Sequence, residues 1–205
     1  MTNLRQKIID TALTLFEEHG YHGVSVNDII EKAQTSKGGF YHYFKTKDEL
    51  LFVIHDTFIT YALKNAKLAN STYSTPTEKL RAIVTGFVKV FDLYKAHIAV
   101  FYQEYNYLNS PYKEKIYDKR KQFKQIIMDT VAEGIKLGEF RESLSVEITG
   151  MAILGMVNWT YMWYKQSGEK SIDEIGEIYV DLILRSLLSE EILSMAKYNQ
   201  YFLQN

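Results

Sequence analysis

"TSKGGFYHYFKTKDEL", residues 35–50, is the stretch on which the reading of this chain turns. Two adjacent glycines and four aromatic rings crowd a segment too short to build a core, and three lysines and a histidine sit among them with no acid before Asp48. Ser36 is placed to cap a short helix running to about Tyr43, and "KTKDELL" opens another at Thr46 or Lys47. Just upstream, "SVNDIIEKA" begins at Ser25 and has Asp28 three residues on, a variant of the capping box, followed by Ile29, Ile30 and Ala33. Before that, Ile8, Ala12, Leu15 and Phe16 keep the spacing of one buried helical face from about Asn3 to His19, and Gly20 stops it. A helix, a tight turn and a second short helix form a helix-turn-helix, whose second helix enters the DNA major groove N-terminus first.

The side chains of the segment fit that use. Each glycine in a helix costs about 1 kcal/mol relative to alanine, so Gly38 and Gly39 need a reason beyond local stability. Their missing side chains let the backbone approach a groove wall or a thymine methyl. Lys37 can reach a guanine edge or a phosphate, and Tyr41 and His42 can donate to phosphates. Lys47 stands at a helix start, which also favours phosphate. Phe40 and Phe44, four apart, face inward and pin the helix. On these grounds the candidate DNA contacts are Lys37, Gly38, Gly39, Tyr41, His42 and Lys47.

Composition agrees with a helical, soluble chain. In 205 residues, 46% apolar content suffices for a sizeable core, and two prolines with 11 glycines favour helix over a strand-rich fold. No cysteine is present, which removes disulfides, thiolate nucleophiles and cysteine zinc sites. The five histidines form no helical pair with a general base, and there is no Walker-type loop, so an enzyme is not expected, nor a catalytic residue, metal or cofactor. Residues 148–164, "ITGMAILGMVNWTYMWY", are uncharged but shorter than the roughly 20 residues a spanning helix needs. We expect no membrane association and a cytoplasmic protein. Net charge is −1, yet residues 33–47 hold Lys37, Lys45 and Lys47 without an acid, a local basic stripe able to meet phosphate.

At this point the sequence resembles the TetR-type bacterial transcriptional regulators, through "IIDTALTLFEEHGYHGVSVNDIIEKAQTSKGGFYHYFKTKDELL". The resemblance implies an all-α protein, with a three-helix DNA-binding domain over 1–46 and an effector-binding and dimerisation domain over 47–205. It also implies a homodimer on a palindromic operator, with two heads about 34 to 36 Å apart. By position the resemblance implies DNA contacts at Ser25, Ser36, Lys37, Gly38, Tyr41, His42 and Lys47, and Thr35 and Gly39 complete the expected set. Gln34 stands where the family often has a turn glycine, and Gly39 replaces the usual Thr, Ser or Ala.

Beyond residue 52 the helices lengthen. Thr75, Pro76 and Glu78 open one to about Tyr94, Ser110 and Pro111 open one to near Gly138, another covers about 146–166, and Ser171 with Glu174 opens one to about Leu188. Eight or nine helices result. The segment 148–164 is apolar nearly all round and needs cover on two sides. Met151, Ala152, Gly155, Met156, Trp159 and Trp163 form one face, and Ile153, Leu154, Val157 and Tyr161 another, one meeting the interior and one a second chain.

For a hydrophobic small-molecule effector the candidate contacts are Phe87, Phe91, His97, Phe101, Tyr102, Tyr105, Met156, Trp159 and Trp163. Some of Lys119, Arg120 and Lys124 in "KEKIYDKRKQFK", 113–124, can hold a phosphate near the pocket mouth, which suits a long-chain acyl-CoA, and "ILGMVNWTYMWY" is loosely similar to segments of the acyl-CoA-responsive regulators of the same family. A competing effector is an aromatic cation, with Glu104 as counter-charge. A non-specific structural DNA-binding protein is the reading from another class, and it needs a broader basic surface.

Overall fold

The computed structural model describes residues 3–203, which contain eleven α-helices and two short 3-10 helices. In chain order these are α1 (Leu4–His19), α2 (Val26–Lys32), α3 (Lys37–Tyr43), α4 (Lys47–Thr72), α5 (Pro76–Leu93), α6 (Lys95–Glu104), the 3-10 turn Tyr105–Tyr107, α7 (Ser110–Lys136), α8 (Val146–Asn158), α9 (Thr160–Trp163), α10 (Ile172–Leu187), α11 (Glu190–Ser194) and the 3-10 segment Ala196–Tyr201. An isolated antiparallel bridge joins Phe140 and Leu188. The fold is all-α, as expected. None of the described helices is long and apolar enough to cross a membrane.

The starts of the helices follow from local chemistry. Ser25 and Ser171 each accept from the N–H three residues on, while Asp28 and Glu174 reach back to the capping residue's own N–H, two complete capping boxes. Asn3, Ser36, Ser145 and Ser189 cap four more helices. The helix expected over 146–166 divides into α8 and α9 and ends at Tyr164, whose extended backbone carries its hydroxyl to Asp92 Oδ1 at 2.7 Å.

The chain folds into two compact units. The first comprises the chain through Thr60 together with Tyr94–Asp118, so α6 and the start of α7 pack with α1–α3. Its core is built from Ile8, Ala12, Phe16, Ile29, Phe40, Phe44, Leu50, Leu51, Ile54, Val100 and Ile116, all essentially without solvent contact. At roughly 1.5 to 3 kcal/mol per buried large side chain, that cluster gives α3 a rigid seat despite its seven residues and two glycines.

The second unit comprises Tyr61–Leu93 and the chain from Lys119 onward. Here α5 lies along α10, burying Leu80, Val84 and Val88 with Val180 and Leu184. The end of α7 is fixed by a close approach: a side chain at Gly134 would overlap the ring of Phe140, which is 1% exposed and closes the turn through its N–H to the Gly134 carbonyl at 3.0 Å. Thr77, fully buried at the start of α5, donates its N–H and hydroxyl to Glu139 at 3.0 and 2.6 Å.

Candidate nucleic-acid interface

The turn between α2 and α3 is built by local hydrogen bonds. Ala33 closes α2 on the Ile29 carbonyl, and the Thr35 N–H returns to the Ile30 carbonyl at 3.0 Å. That return requires Gln34 to adopt φ 49°, the left-handed region, where a family glycine would carry no penalty. Gln34 therefore holds this turn at a cost in strain. Ser36 accepts the Gly39 N–H at 3.0 Å and starts α3.

With Phe40 and Phe44 buried, the opposite face of α3 presents Lys37, Gly38, Tyr41 and His42 to solvent, Tyr41 at 53% exposure. Ser25 and Ser36 are exposed as well, and a hydroxyl oxygen that accepts a capping bond still has its own hydrogen to give to a phosphate. Thr35 is half-buried beside them.

The two glycines differ in cause. A side chain at Gly39 would run into the Thr35 hydroxyl, so internal crowding accounts for it. At Gly38 a methyl group would meet only Ser36 Oγ, at 3.8 Å, and nothing inside the protein demands glycine there. Gly38 lowers helix stability without an internal return, and it does so on the exposed face.

Lys47 is placed differently from the other eight. Its ammonium donates to the Tyr21 and Val24 carbonyls at 2.8 and 2.7 Å and stands 4.1 Å from the centre of the Tyr21 ring. Burial lowers its pKa, opposed by the charges of Asp48, Asp28 and Glu104. Tyr21 is the centre of this arrangement. Its N–H donates to the buried Glu104 at 3.1 Å, and its hydroxyl bonds to Asp48. Asp48 also accepts from Asn109 at 2.8 Å, and Tyr107 stacks on the Tyr21 ring at 6.4 Å. Burial and the Asp48 carboxylate raise the Tyr21 pKa, so it stays a neutral donor.

Tyr21, Asp48 and Asn109 carry no sequence signal for this arrangement, and the sequence points to Glu104 instead as counter-charge to a cation. In the structure that carboxylate is turned to the α1–α2 turn. Tyr21 and Glu104 lie 83 positions apart, and no local pattern links them.

The proposed effector contacts separate into two groups. In the first unit Phe101 is buried against His55 (5.1 Å), Phe58 (5.1 Å) and Tyr105 (4.9 Å), with Tyr102 at its edge (5.5 Å) and half-buried His97 against Tyr94 (5.5 Å). His55 is fully buried and neither ring nitrogen makes a full hydrogen bond. Burial pushes its pKa down to about 3, against a partial pull upward from the Val100 backbone, and His97 pushes it further down. Burial also lowers His97, opposed by Asp10.

In the second unit Phe87 is buried against Phe91 (5.7 Å) and Phe123 (4.7 Å). Met156, Trp159 and Trp163 are not gathered with them. They lie exposed, Trp159 at 61%, along with Ile148, Met151 and Met162. Ile153 and Val157 are the residues of α8 that turn inward. In the basic tract, Lys113 covers the Tyr105 ring at 5.2 Å, and Lys115 covers the stacked pair Phe52 and Tyr112 at 5.6 and 5.8 Å.

Comparison with known proteins bears on both units. Residues 8–54 match the model for bacterial regulatory proteins of the tetR family, and residues 73–187 match the tetracyclin repressor-like C-terminal domain. The repressor KstR2 of Mycobacterium tuberculosis is 23% identical over 92% of this chain and 94% of its own. Its structure, described as a ketosteroid transcriptional regulator, superposes with a TM-score of 0.83 over 93% of this chain and 97% of its own, at 22% identity. The fatty acid metabolism regulator protein of Bacillus subtilis is 27% identical over 80% of this chain and 84% of its own. The regulator AibR, solved with isovaleryl coenzyme A and operator DNA, matches with a TM-score of 0.74 at 22% identity, over 88% of this chain and 97% of its own.

Proposed function

Since the chain belongs to the TetR family of DNA-binding transcriptional regulators, we propose that it is a homodimeric repressor that reads a palindromic operator through α3 and is released by a hydrophobic small molecule. The observation that carries the DNA reading is the exposed face of α3, where Lys37, Tyr41 and His42 surround a glycine that nothing inside the protein requires. Ser25, Thr35, Ser36 and Gly39 border that face and complete the proposed contact surface. Such a surface is polar, so it remains soluble when DNA is absent.

Dimerisation is supported by the apolar face of α8 and α9, which carries Ile148, Met151, Met156, Trp159, Met162 and Trp163. Contiguous exposed apolar surface of this kind marks a protein interface. For the effector we favour a coenzyme A thioester with an acyl chain. The fatty acid metabolism regulator and the AibR complex support that class. Two separate aromatic groups are candidates for contacting it, Phe101 with Tyr102, Tyr105 and His97 in the first unit, and Phe87 with Phe91 in the second. The setting we propose is the cytoplasm, where acyl thioesters and the chromosome are both present.

The test is to select duplexes from a random pool with the purified protein and to titrate the winner with and without a long-chain acyl-CoA. A palindrome bound tightly and released by the acyl-CoA is expected, with release requiring differential binding on the order of 1 to 3 kcal/mol. Phe87→Ala or Phe101→Ala should abolish release while leaving DNA affinity unchanged, and the one that does so identifies the group in contact. Lys37→Ala should weaken binding and relax preference at one base pair, by about 1 to 3 kcal/mol. A selection that enriches no sequence would break the reading.

A further inference from the structure

Lys47 occupies the end of a tract that reads as phosphate-binding, yet its ammonium is turned into the protein. Two of its three N–H groups are given to the carbonyls of Tyr21 and Val24, in the connection between α1 and α2, and the Tyr21 ring lies under it. Those carbonyls belong to the segment that joins α1 to the helix-turn-helix. Tyr21 is held a second time by Glu104 at the end of α6, which accepts its N–H, and a third time by Asp48 at the start of α4. Asp48 is fixed in turn by Asn109. Glu104 is buried, at 6% exposure, and Lys47 is half-buried, and the Glu104 carboxylate is one of the charges that favour the ammonium form of Lys47.

Otherwise the α1–α2 connection is held by packing, through buried Tyr21 and Val24 and the His22 ring against Tyr107 at 4.3 Å, with few hydrogen bonds of its own. The Val24 N–H meets the Tyr21 carbonyl only at 3.4 Å, and Gly23 and His22 are exposed. The connection sets where α2 begins, and α2 leads through the turn at Gln34 into α3, whose seat on α1 is fixed by Phe40 and Phe44.

We propose that Lys47 and Glu104 are positioning residues for DNA recognition, tying the α1–α2 connection to the start of α4 and the end of α6 so that α3 is held at one angle, and that Lys47 is not itself a phosphate ligand. This assignment rests on the DNA-binding reading above. It separates two roles that a sequence motif merges. A lysine on phosphate acts only when DNA is present and adds to the salt dependence of binding. A lysine inside the head orders the free protein and leaves that dependence alone.

The experiment has two arms on the full-length protein. In the first, amide hydrogen exchange of the free protein is compared for wild type, Lys47→Met and Glu104→Ala. Exchange across residues 20–25 should accelerate in both variants, while the α5 and α10 amides stay as they are. Unchanged exchange over 20–25 overturns the proposal, whether or not a DNA site is ever found. In the second arm, the duplex selected by the wild type is titrated at several salt concentrations. Lys47→Met and Glu104→Ala should each bind about tenfold more weakly, the scale of losing hydrogen bonds to a charged group, with the wild-type slope of log K against log salt. Lys37→Ala, as the comparison variant, should flatten that slope by about one if Lys37 meets a phosphate. Glu104→Gln, whose amide oxygen can still accept from the Tyr21 N–H, should recover most of the affinity lost in Glu104→Ala. A slope flattened by about one in Lys47→Met, or wild-type affinity in it, overturns the assignment. If Glu104→Ala proves too unstable to purify, Glu104→Gln with Lys47→Met carries both arms. Absence of any selected duplex counts against the regulator reading, and the exchange arm still decides the structural tie.

Discussion

The exposed face of α3 carries Lys37, Gly38, Tyr41 and His42, whereas the exposed face of α8 and α9 carries Ile148, Met151, Trp159, Met162 and Trp163. Water solvates the first set at little cost and pays a penalty on the second of roughly 25 cal/mol per Å² of apolar surface. A polar face can stand empty and fill reversibly, with an affinity that salt adjusts. An apolar face of this size stays soluble when it is covered throughout the protein's life, as in a permanent dimer. On the proposed function the two surfaces would differ in how long their partners stay, which suits a repressor with a stable pair of heads and a DNA complex that can be released.

The largest expected effect breaks the second surface. Met156→Asp with Trp159→Asp should convert a dimer to a monomer in sedimentation velocity, losing on the order of 2 to 4 kcal/mol of association. Because both side chains are exposed in the single chain, its helical content and melting should change little. DNA affinity should fall with it, since one head reads only half a palindrome. A dimer that survives the double substitution would show that this face is covered by something else.

The next effect sharpens the contrast between open faces and a closed interior. His55 has a folded pKa of about 3, below the ordinary 6.5, because burial favours its neutral form. Its contribution is therefore fully present above pH 6.5, where folded and unfolded chains both leave it neutral. As pH falls below 6.5 the unfolded chain takes a proton that the folded chain refuses, and stability drops by about 1.4 kcal/mol per pH unit until about pH 3. His55→Leu should remove this part of the acid sensitivity in denaturant titrations at pH 7 and pH 5. An unchanged pH slope would mean that His55 finds a partner for its proton in the fold.

Smaller effects test the first surface. Gly38→Ala should stabilise α3 by about 1 kcal/mol, seen as a raised melting temperature, and weaken DNA binding, because it fills the space left open at the exposed face. Wild-type DNA affinity in that variant would remove Gly38 from recognition. Gln34→Gly should gain roughly half a kcal/mol, the left-handed strain relieved less the entropy of glycine, with DNA affinity unchanged.

The helix-turn-helix was legible because its signals are short-ranged. Ser25 with Asp28, Ser36 with Gly39, and Phe40 with Phe44 each act across three or four positions, and the structure forms every one of those pairs. The two-faced character of residues 148–164 was legible too, since helical spacing divides Ile153 and Val157 from Met151, Met156 and Trp159. Which face turns inward was not, because both are apolar and only the surrounding helices choose between them. Gln34 marked a departure from a glycine turn, but the outcome, a left-handed residue held under strain, depended on how tightly Thr35 returns to Ile30.

By itself the sequence determined what neighbouring residues can settle among themselves: helix starts, the turn, the inward and outward faces of α3, and the family to which they belong. The tertiary structure alone decided where the charges of Lys47 and Glu104 point, that residues 94–118 pack with the first helices, and that Phe101 and Phe87 lie in separate units. The physical reason is range. A capping bond is chosen by a few dihedral angles, whereas a buried ammonium finds its carbonyls only after helices distant in sequence have packed and removed the water it would otherwise keep.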